Sequence, residues 1–347
     1  MATQHSRILG VGTTYPAQTF TQREAARLLG VNTPKAQRFF DHPHIHQRHL
    51  LFEGTTFQEE TATELRAKFL QHAPRLFKEA VDQALQMSRL TLDQIDYLVC
   101  VTSSAFIVPG PSALMMEKFG FRRDCQRLDI VGMGCNAGLN GLSTVNSWCL
   151  AHPGQKALMV CLELCSAIYN VDDSENSALV NSLFGDGVAA LVVQSVSAQE
   201  NAPEILAFTS HLIADSLTCL RFDWDKLKNK NNFFIDKKTP QILAEEINQP
   251  LKKILHTAGL ELHEIKHWIV HSGGEAILSA IEKKLYLSQN EFRHTRTVLR
   301  DFGNISSGSF LFSYQRLLNE EVVKKNDYGL MITMGPGLTI EMALIRW

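Results

Sequence analysis

An α/β fold built from two similar β/α halves is what the sequence predicts, and three observations predict it. Short apolar runs such as 95–102, 156–163 and 188–194 have the length and continuity of strands buried on both faces. Segments with apolar residues at helical spacing lie between them, so strands and helices alternate along the chain. After residue 197 the order of elements starts over without any repeat of residue identity, which points to halves spanning 1–197 and 198–347.

Composition sets the frame. The chain has 347 residues, 45% of them apolar and 20% charged, with a net charge of −2, enough for one large core or two fused ones. No basic surplus exists to neutralise phosphates along a nucleic acid, so that class of partner is not expected. The opening Met-Ala-Thr-Gln-His-Ser-Arg lacks a signal-peptide core, and no apolar run approaches the ~18 residues that span a bilayer. Seven cysteines, at 100, 125, 135, 149, 161, 165 and 219, form no CxxC pair. An odd, irregular set reads as reduced thiols, and a cytoplasmic chain without a membrane partner is expected.

Taken in order, residues 7–14 predict an opening strand closed by Tyr15-Pro16, and 20–30 a helix capped by Thr21. Lys35 and Arg38 lie three apart and share one helix face, where they could grip a phosphate or simply meet water. His42, His44, His46 and His49 crowd the following stretch. No carboxylate or cysteine sits among them at ligand spacing, so no metal is expected. A long amphipathic helix covers 59–88, with Pro74 as a point of bending. The strand at 95–102 leads through Pro109-Gly-Pro111 into a helix at 112–119. Beyond the strand at 156–163 come Asp172-Asp173, then Leu183-Phe184-Gly-Asp-Gly187 and the strand at 188–194.

The second half begins with a strand at 205–212 and a hairpin over 222–236 with a Lys- and Asn-rich tip. One helix covers about 240–258. Trp268-Ile-Val-His271 answers the strand at 98–102, and strands near 329–335 and 338–347 answer those at 156–163 and 188–194.

The most informative stretch is Leu128-Asp-Ile-Val-Gly-Met-Gly-Cys135-Asn-Ala-Gly138. A strand, a tight glycine turn, a cysteine and then a helix is the grammar that exposes one nucleophile at a helix start. There the helix end favours thiolate over thiol, whereas a buried, inert cysteine is the plain alternative. Gly303-Asn304-Ile-Ser306-Ser307 repeats that grammar in the second half. Read singly, His271 could be a core histidine and Asn304 a turn residue. Together on matching loops of a duplicated fold, Cys135, His271 and Asn304 supply a nucleophile and two donors for an enolate or oxyanion. With no acidic third member, such a set suits carbon–carbon bond formation better than hydrolysis.

At these residues the chain resembles the type III polyketide synthases, the chalcone synthase-like branch of the thiolase superfamily. Gly134-Cys135-Asn-Ala-Gly138 is similar to the family's nucleophile motif, and Leu183-Phe184-Gly-Asp-Gly187 to its gatekeeper segment. Trp268-Ile-Val-His271-Ser-Gly-Gly is similar to its Trp-x-x-His-Pro-Gly-Gly motif. Gly303-Asn304-Ile-Ser306-Ser307 and Gly335-Pro-Gly337-Leu-Thr-Ile-Glu341 complete a set that covers nearly the whole chain.

The resemblance implies a thiolase-like fold, two halves forming a layered αβαβα core. It implies that Cys135 carries the acyl chain as a thioester while His271 and Asn304 bind the malonyl carbonyl and stabilise the enolate. Phe184 and Phe233 would be gatekeepers between a CoA tunnel and a cavity lined by Ser306, Cys165 and Ile168. Lys35 and Arg38 match two of three CoA-phosphate ligands, and His42 stands where the third, a lysine, is usual. Ser272 replaces the motif's proline, and Met334 an aromatic residue. Ile168 takes a position that is small and polar in plant enzymes, which disfavours a bulky starter.

Within the family, the runs 221–225 and 298–314 are most similar to the bacterial 3,5-dihydroxyphenylacetyl-CoA synthases. That implies malonyl-CoA as both starter and extender, cyclisation and aromatisation, and no cofactor beyond CoA thioesters. A pyrone or resorcinol product from an acyl-CoA starter is the alternative. So is a β-ketoacyl synthase III-like enzyme working with acyl carrier protein, although Ser-Gly-Gly follows His271 where that family has Gln-Ala-Asn. No acyl carrier protein is expected. A homodimer is, because the loop 104–111 matches one that reaches a neighbour's cavity in the family.

Overall fold

Burial that alternates along the strands sorts the molecule into layers. The computed structural model describes residues 5–52, 57, 59–172, 174–195 and 202–347. Asp173 and the boundary expected between 197 and 198 lie outside the described residues.

The chain opens with β1 (Ser6–Thr14), β2 (Thr19–Thr21), α1 (Gln22–Leu28), α2 (Pro34–Phe40) and β3 (Gln47–His49). It continues through α3 (Ala62–Ser88), β4 (Tyr97–Thr102), α4 (Pro111–Phe119), β5 (Gln126–Val131) and α5 (Ala137–Ala151). Then come β6 (Lys156–Leu164), α6 (Glu175–Leu183) and β7 (Asp186–Ser195). From residue 202 it forms β8 (Glu204–Leu212), the hairpin β9 (Leu220–Asp225) and β10 (Lys230–Ile235), α7 (Thr239–Glu246) and α8 (Asn248–Ala258). Last are β11 (Ile265–Val270), α9 (Glu275–Leu285), α10 (Arg293–Phe302), α11 (Ser309–Asn319), β12 (Tyr328–Gly335) and β13 (Thr339–Arg346).

Local chemistry sets several of these limits. The long helix expected from residue 59 starts at Ala62 because Thr61 and Glu64 cap each other reciprocally, the Thr61 N–H donating to Glu64 Oε2 at 2.7 Å. Thr21 and Glu24 do the same for α1. The single helix expected over 240–258 is two, α7 and α8, meeting at Ile247. Pro250 has no N–H to give to the carbonyl of Glu246, so the ladder breaks there.

Nine strands form one sheet in the order β11-β12-β13-β8-β1-β7-β6-β4-β5. From β1 outward the pairings are antiparallel, antiparallel, parallel and parallel. From β8 outward they run antiparallel, antiparallel and parallel, the same order short of one strand. The two runs join where β1 meets β8, through Ser6 opposite Ile205 and Arg7 opposite Glu204.

Leu98 and Cys100 of β4 face one way, into Leu76 and Ala80 of α3. Val99 and Val101 face the other way, into Leu139 and Leu142 of α5 and Phe310 and Leu311 of α11. Met331 of β12 and Ala343 of β13 meet that same inner pair of helices from the opposite side. Their neighbours Leu330, Ile332 and Leu344 pack outward on α8 and α9. The layers therefore run helix, sheet, helix, sheet, helix, the αβαβα arrangement expected. Among the described residues, no helix is long and apolar enough to cross a membrane.

Candidate active site

Between β5 and α5 the chain makes a single 3-10 turn, Gly134–Asn136, with Cys135 at its middle. Gly134 has φ +72°, and a Cβ there would lie 2.4 Å from Cδ of Pro336 in the loop between β12 and β13. At Gly138 a Cβ would lie 2.2 Å from the carbonyl oxygen of Ser307. Two glycines thus let the cysteine turn press against the loop after β12 and the turn before α11.

Cys135 is buried, and its thiol hydrogen-bonds the side chains of Ser306 and Asn304. Asn304 is held by its backbone: its N–H donates to the Leu183 carbonyl at 2.8 Å, and its carbonyl accepts from Gly185 at 3.0 Å. Its Oδ1 accepts the Ser306 N–H at 2.8 Å, which turns the amide NH₂ into the donor available to other groups. Ser306 has φ +42°, a left-handed conformation a serine seldom takes, consistent with strain at a functional turn. His271 follows β11; its N–H donates to the Ile332 carbonyl at 2.8 Å and its Nδ1 meets Ser309 Oγ. Ser309 Oγ in turn reaches the Ser306 carbonyl at 3.2 Å. The 304–309 turn is therefore bonded to Cys135 at one end and His271 at the other.

Cys135 opens on a cavity of about 20 Å³. Ile168, Phe184, Phe222 and Phe233 wall it, and Cys165, Ser306 and Glu163 share its lining. Phe233 stands 5.6 Å from Phe184 and 4.9 Å from Phe222 between ring centroids. Phe222 and Glu163 were not singled out by the sequence reading. Hairpin register places Phe222 directly opposite Phe233 on the paired strand, a signal available from the spacing of the two runs about their polar tip. Glu163 is the lone carboxylate in the apolar run of β6 and is fully buried. It accepts from the Ser103 N–H at 3.1 Å, from Ser104 Oγ at 3.0 Å and from Ser307 Oγ.

Burial dominates the electrostatics. It pushes the Cys135 thiol up to about 12, with the nearby Glu163 charge adding to the shift. It holds the His271 imidazole down at about 3 and also raises the Glu163 carboxyl. The thiolate expected from the helix start is thus opposed by desolvation, and the resting pair is a neutral thiol and a neutral imidazole.

A stability prediction follows from His271. An unfolded histidine titrates near 6.5, and the folded one near 3. Below pH 6.5 the unfolded chain binds a proton that the folded chain refuses, so stability falls as the pH drops toward 3. Between pH 7 and pH 5 wild type should lose about 2 kcal/mol more than His271→Gln in urea titrations. Equal losses would show that His271 is not held neutral by burial.

Lys35, Arg38 and His42 are exposed on and just beyond α2. Arg38 pairs with Glu175 at 3.0 Å, and Lys237, after β10, reaches the same carboxylate oxygen at 2.7 Å. Lys35 acts on that carboxylate from farther off. His42 lies 4.6 Å from His44 between ring centroids, and burial and that neighbour both lower its pKa. The cation beside Arg38 is therefore Lys237, which the sequence reading did not single out because it is distant in the chain. No three His, Cys, Asp or Glu among the described residues cluster as metal ligands do.

Residues 40–209 match the family model for FAE1/Type III polyketide synthase-like protein, and residues 223–347 that for Chalcone and stilbene synthases, C-terminal domain. The chain is 42% identical to the 3,5-dihydroxyphenylacetyl-CoA synthase of Amycolatopsis balhimycina over 349 residues, covering 99% of this chain and 94% of that enzyme. It is 30% identical over 321 residues to the 1,3,6,8-tetrahydroxynaphthalene synthase of Streptomyces coelicolor, covering 90% and 83% of the two chains. The crystal structure of a 1,3,6,8-tetrahydroxynaphthalene synthase from that species superposes with a TM-score of 0.91 at 27% identity, covering 98% of this chain and 99% of its own.

Proposed function

This chain belongs to the chalcone and stilbene synthase family of type III polyketide synthases, and on that premise we propose that it builds 3,5-dihydroxyphenylacetyl-CoA from malonyl-CoA alone. The observation that carries the reading is the Cys135 thiol bonded to the Asn304 amide and opening on a cavity walled by Ile168, Phe184, Phe222 and Phe233.

The Cys135 thiol gives its proton to His271, and the thiolate attacks the carbonyl carbon of a CoA thioester. The tetrahedral intermediate collapses, CoA leaves as its thiolate to be protonated by solvent, and the acyl group remains on sulfur while His271 keeps the proton it received. A malonyl-CoA then binds with its thioester oxygen facing the Asn304 amide N–H and the His271 N–H. As carbon dioxide departs, the electron pair of the broken bond becomes an enolate held by those two donors. The enolate carbon attacks the Cys135 thioester and expels the Cys135 thiolate, so the lengthened chain stands on CoA; the thiolate then takes the chain back as CoA leaves, ready for the next round. Decarboxylation supplies the nucleophilic carbon, so no base is needed to remove a proton from it. CoA thioesters carry all the groups, and the chemistry requires no further cofactor.

Lys35, Arg38 and Lys237 are the charges suited to CoA phosphates at the approach to the cavity. Two copies would pair along β5, an edge strand of the sheet whose Leu128 and Val131 are exposed beside Met133 and the Phe106–Val108 loop. Sedimentation should then give about twice 38.9 kDa; a monomer at micromolar concentration would count against that pairing.

Purified protein given only malonyl-CoA should accumulate a C8 dihydroxyaryl acid or its CoA ester by mass analysis. Activity that appears only with an added acyl-CoA starter, giving pyrones, would favour the broader alternative. Turnover that depends on acyl carrier protein would favour a β-ketoacyl synthase III-like enzyme. Ile168→Gly removes a branched wall from the cavity and should admit starters that wild type rejects, scored by competition among acyl-CoAs of increasing size. Unchanged selectivity would remove Ile168 from the size filter.

A further inference from the structure

We infer that Ser309 positions the His271 imidazole as the tautomer protonated on Nδ1, which leaves Nε2 bare to take the proton of the Cys135 thiol. The inference rests on the reading of Cys135 and His271 as nucleophile and base, and it names the residue that prepares the base.

Three buried groups converge on one oxygen. Ser309 Oγ meets His271 Nδ1, accepts the Ser272 N–H at 3.3 Å and lies 3.2 Å from the Ser306 carbonyl. Ser309 and Ser272 are fully buried and His271 and Ser306 nearly so, so no bulk water completes unmet bonds here. A hydroxyl has one hydrogen to give and two lone pairs to offer. The Ser306 carbonyl can only accept, and the Ser272 N–H can only donate. Every group is satisfied in one arrangement: Ser309 donates to Ser306, accepts from Ser272 and accepts a hydrogen from Nδ1. Reversing the histidine bond would take the hydroxyl hydrogen away from the Ser306 carbonyl, leave that oxygen only the Ser309 N–H, and set two oxygens 3.2 Å apart with no hydrogen between them.

Ser272 tightens the arrangement. The proline of the family motif has no N–H, whereas Ser272 brings a donor to Oγ and anchors its own hydroxyl on the Gly303 carbonyl at 3.1 Å. Ring position is constrained as well. A Cβ on Gly273 would stand 3.1 Å from Cδ2 and 3.3 Å from Nε2 of His271, so the glycine leaves that edge of the ring uncrowded. Among charged groups, Glu163 acts on the Cys135 thiol, while burial alone shifts His271.

The proton balance is direct. The S–H bond of Cys135 breaks, a bond to Nε2 forms, and the ring becomes an imidazolium with hydrogens on both nitrogens. The hydrogen just received at Nε2 is then the one offered to the malonyl carbonyl. Had the neutral ring carried its hydrogen on Nε2, it could donate there but could not create the thiolate.

Nitrogen-15 spectra of histidine-labelled holoenzyme at pH 7.5, with His271 assigned by difference from His271→Gln, report the tautomer without any turnover. A pyridine-type Nε2 and a pyrrole-type Nδ1 are expected. A pyrrole-type Nε2, or a ring charged at rest, would overturn the proposal whatever Cys135 does. Iodoacetamide inactivation gives a second readout: Ser309→Ala should slow alkylation of Cys135 at pH 7 about tenfold or more and move its pH profile toward that of an unassisted thiol. Ser309→Thr, which keeps the hydroxyl, should restore the wild-type profile. An unchanged profile in Ser309→Ala would equally overturn the assignment.

Discussion

Cys135→Ala should make no polyketide and carry no acyl group. Mass spectra of intact wild type mixed with malonyl-CoA should show an adduct of one acyl unit that the variant lacks. Loss of an acyl-transfer nucleophile costs on the order of 10⁶-fold where it has been measured in a serine enzyme. Cys165 lines the same cavity, but burial, Glu163, Asp186 and Cys135 all raise its thiol, whereas the Ser306 and Asn304 side chains hydrogen-bond Cys135 and oppose the same burial there. Cys135→Gln should separate the two halves of the cycle. Its amide occupies the place of the loaded thioester, so carbon dioxide should still leave malonyl-CoA although no chain grows. Radiolabelled malonyl-CoA converted equally by wild type and Cys135→Ala would remove the sulfur from the reaction.

Decarboxylation should collapse with either donor. His271→Ala and Asn304→Ala should each lower carbon dioxide release from malonyl-CoA by about 10²–10³-fold, the usual consequence of removing one donor aimed at a developing oxyanion. Asn304→Asp should be worse still at neutral pH, because a carboxylate beside the enolate repels the charge that the amide attracts. Its Oδ1 can still take the Ser306 N–H, so the turn should hold and the defect should lie in kcat. Release within threefold of wild type in His271→Ala would exclude the imidazole from the enolate site.

The strand, glycine turn and helix around Cys135 could be read directly because each signal is local: an apolar run, then Gly132 and Gly134, then helical spacing. His271 and Asn304 were legible through element order, since equivalent loops of two similar units converge in space. The ionisation state was not. A helix start argues for thiolate within a few residues, whereas burial depends on how α5, α11 and both runs of strands close over the sulfur. Phe222 acquires a role only once the hairpin register sets it against Phe233. Lys237 joins Arg38 only because Glu175, at the first turn of α6, draws both. The break at Ile247 lay within reach, as Pro250 stands three residues beyond it and its missing N–H falls due at Glu246.

The joint between β1 and β8 has a consequence for how this protein can be divided. Sulfur arrives from one side of that seam, imidazole and carboxamide from the other, and Gly134 and Gly138 let the cysteine turn close on the Pro336 ring and the Ser307 backbone. Mixing Cys135→Ala with Asn304→Ala should therefore restore nothing, because a chain damaged on one side of the seam cannot borrow the missing group from a second chain. Heat that loosens either side should silence the whole reaction at once, with no partly working species between the native enzyme and the inactive one.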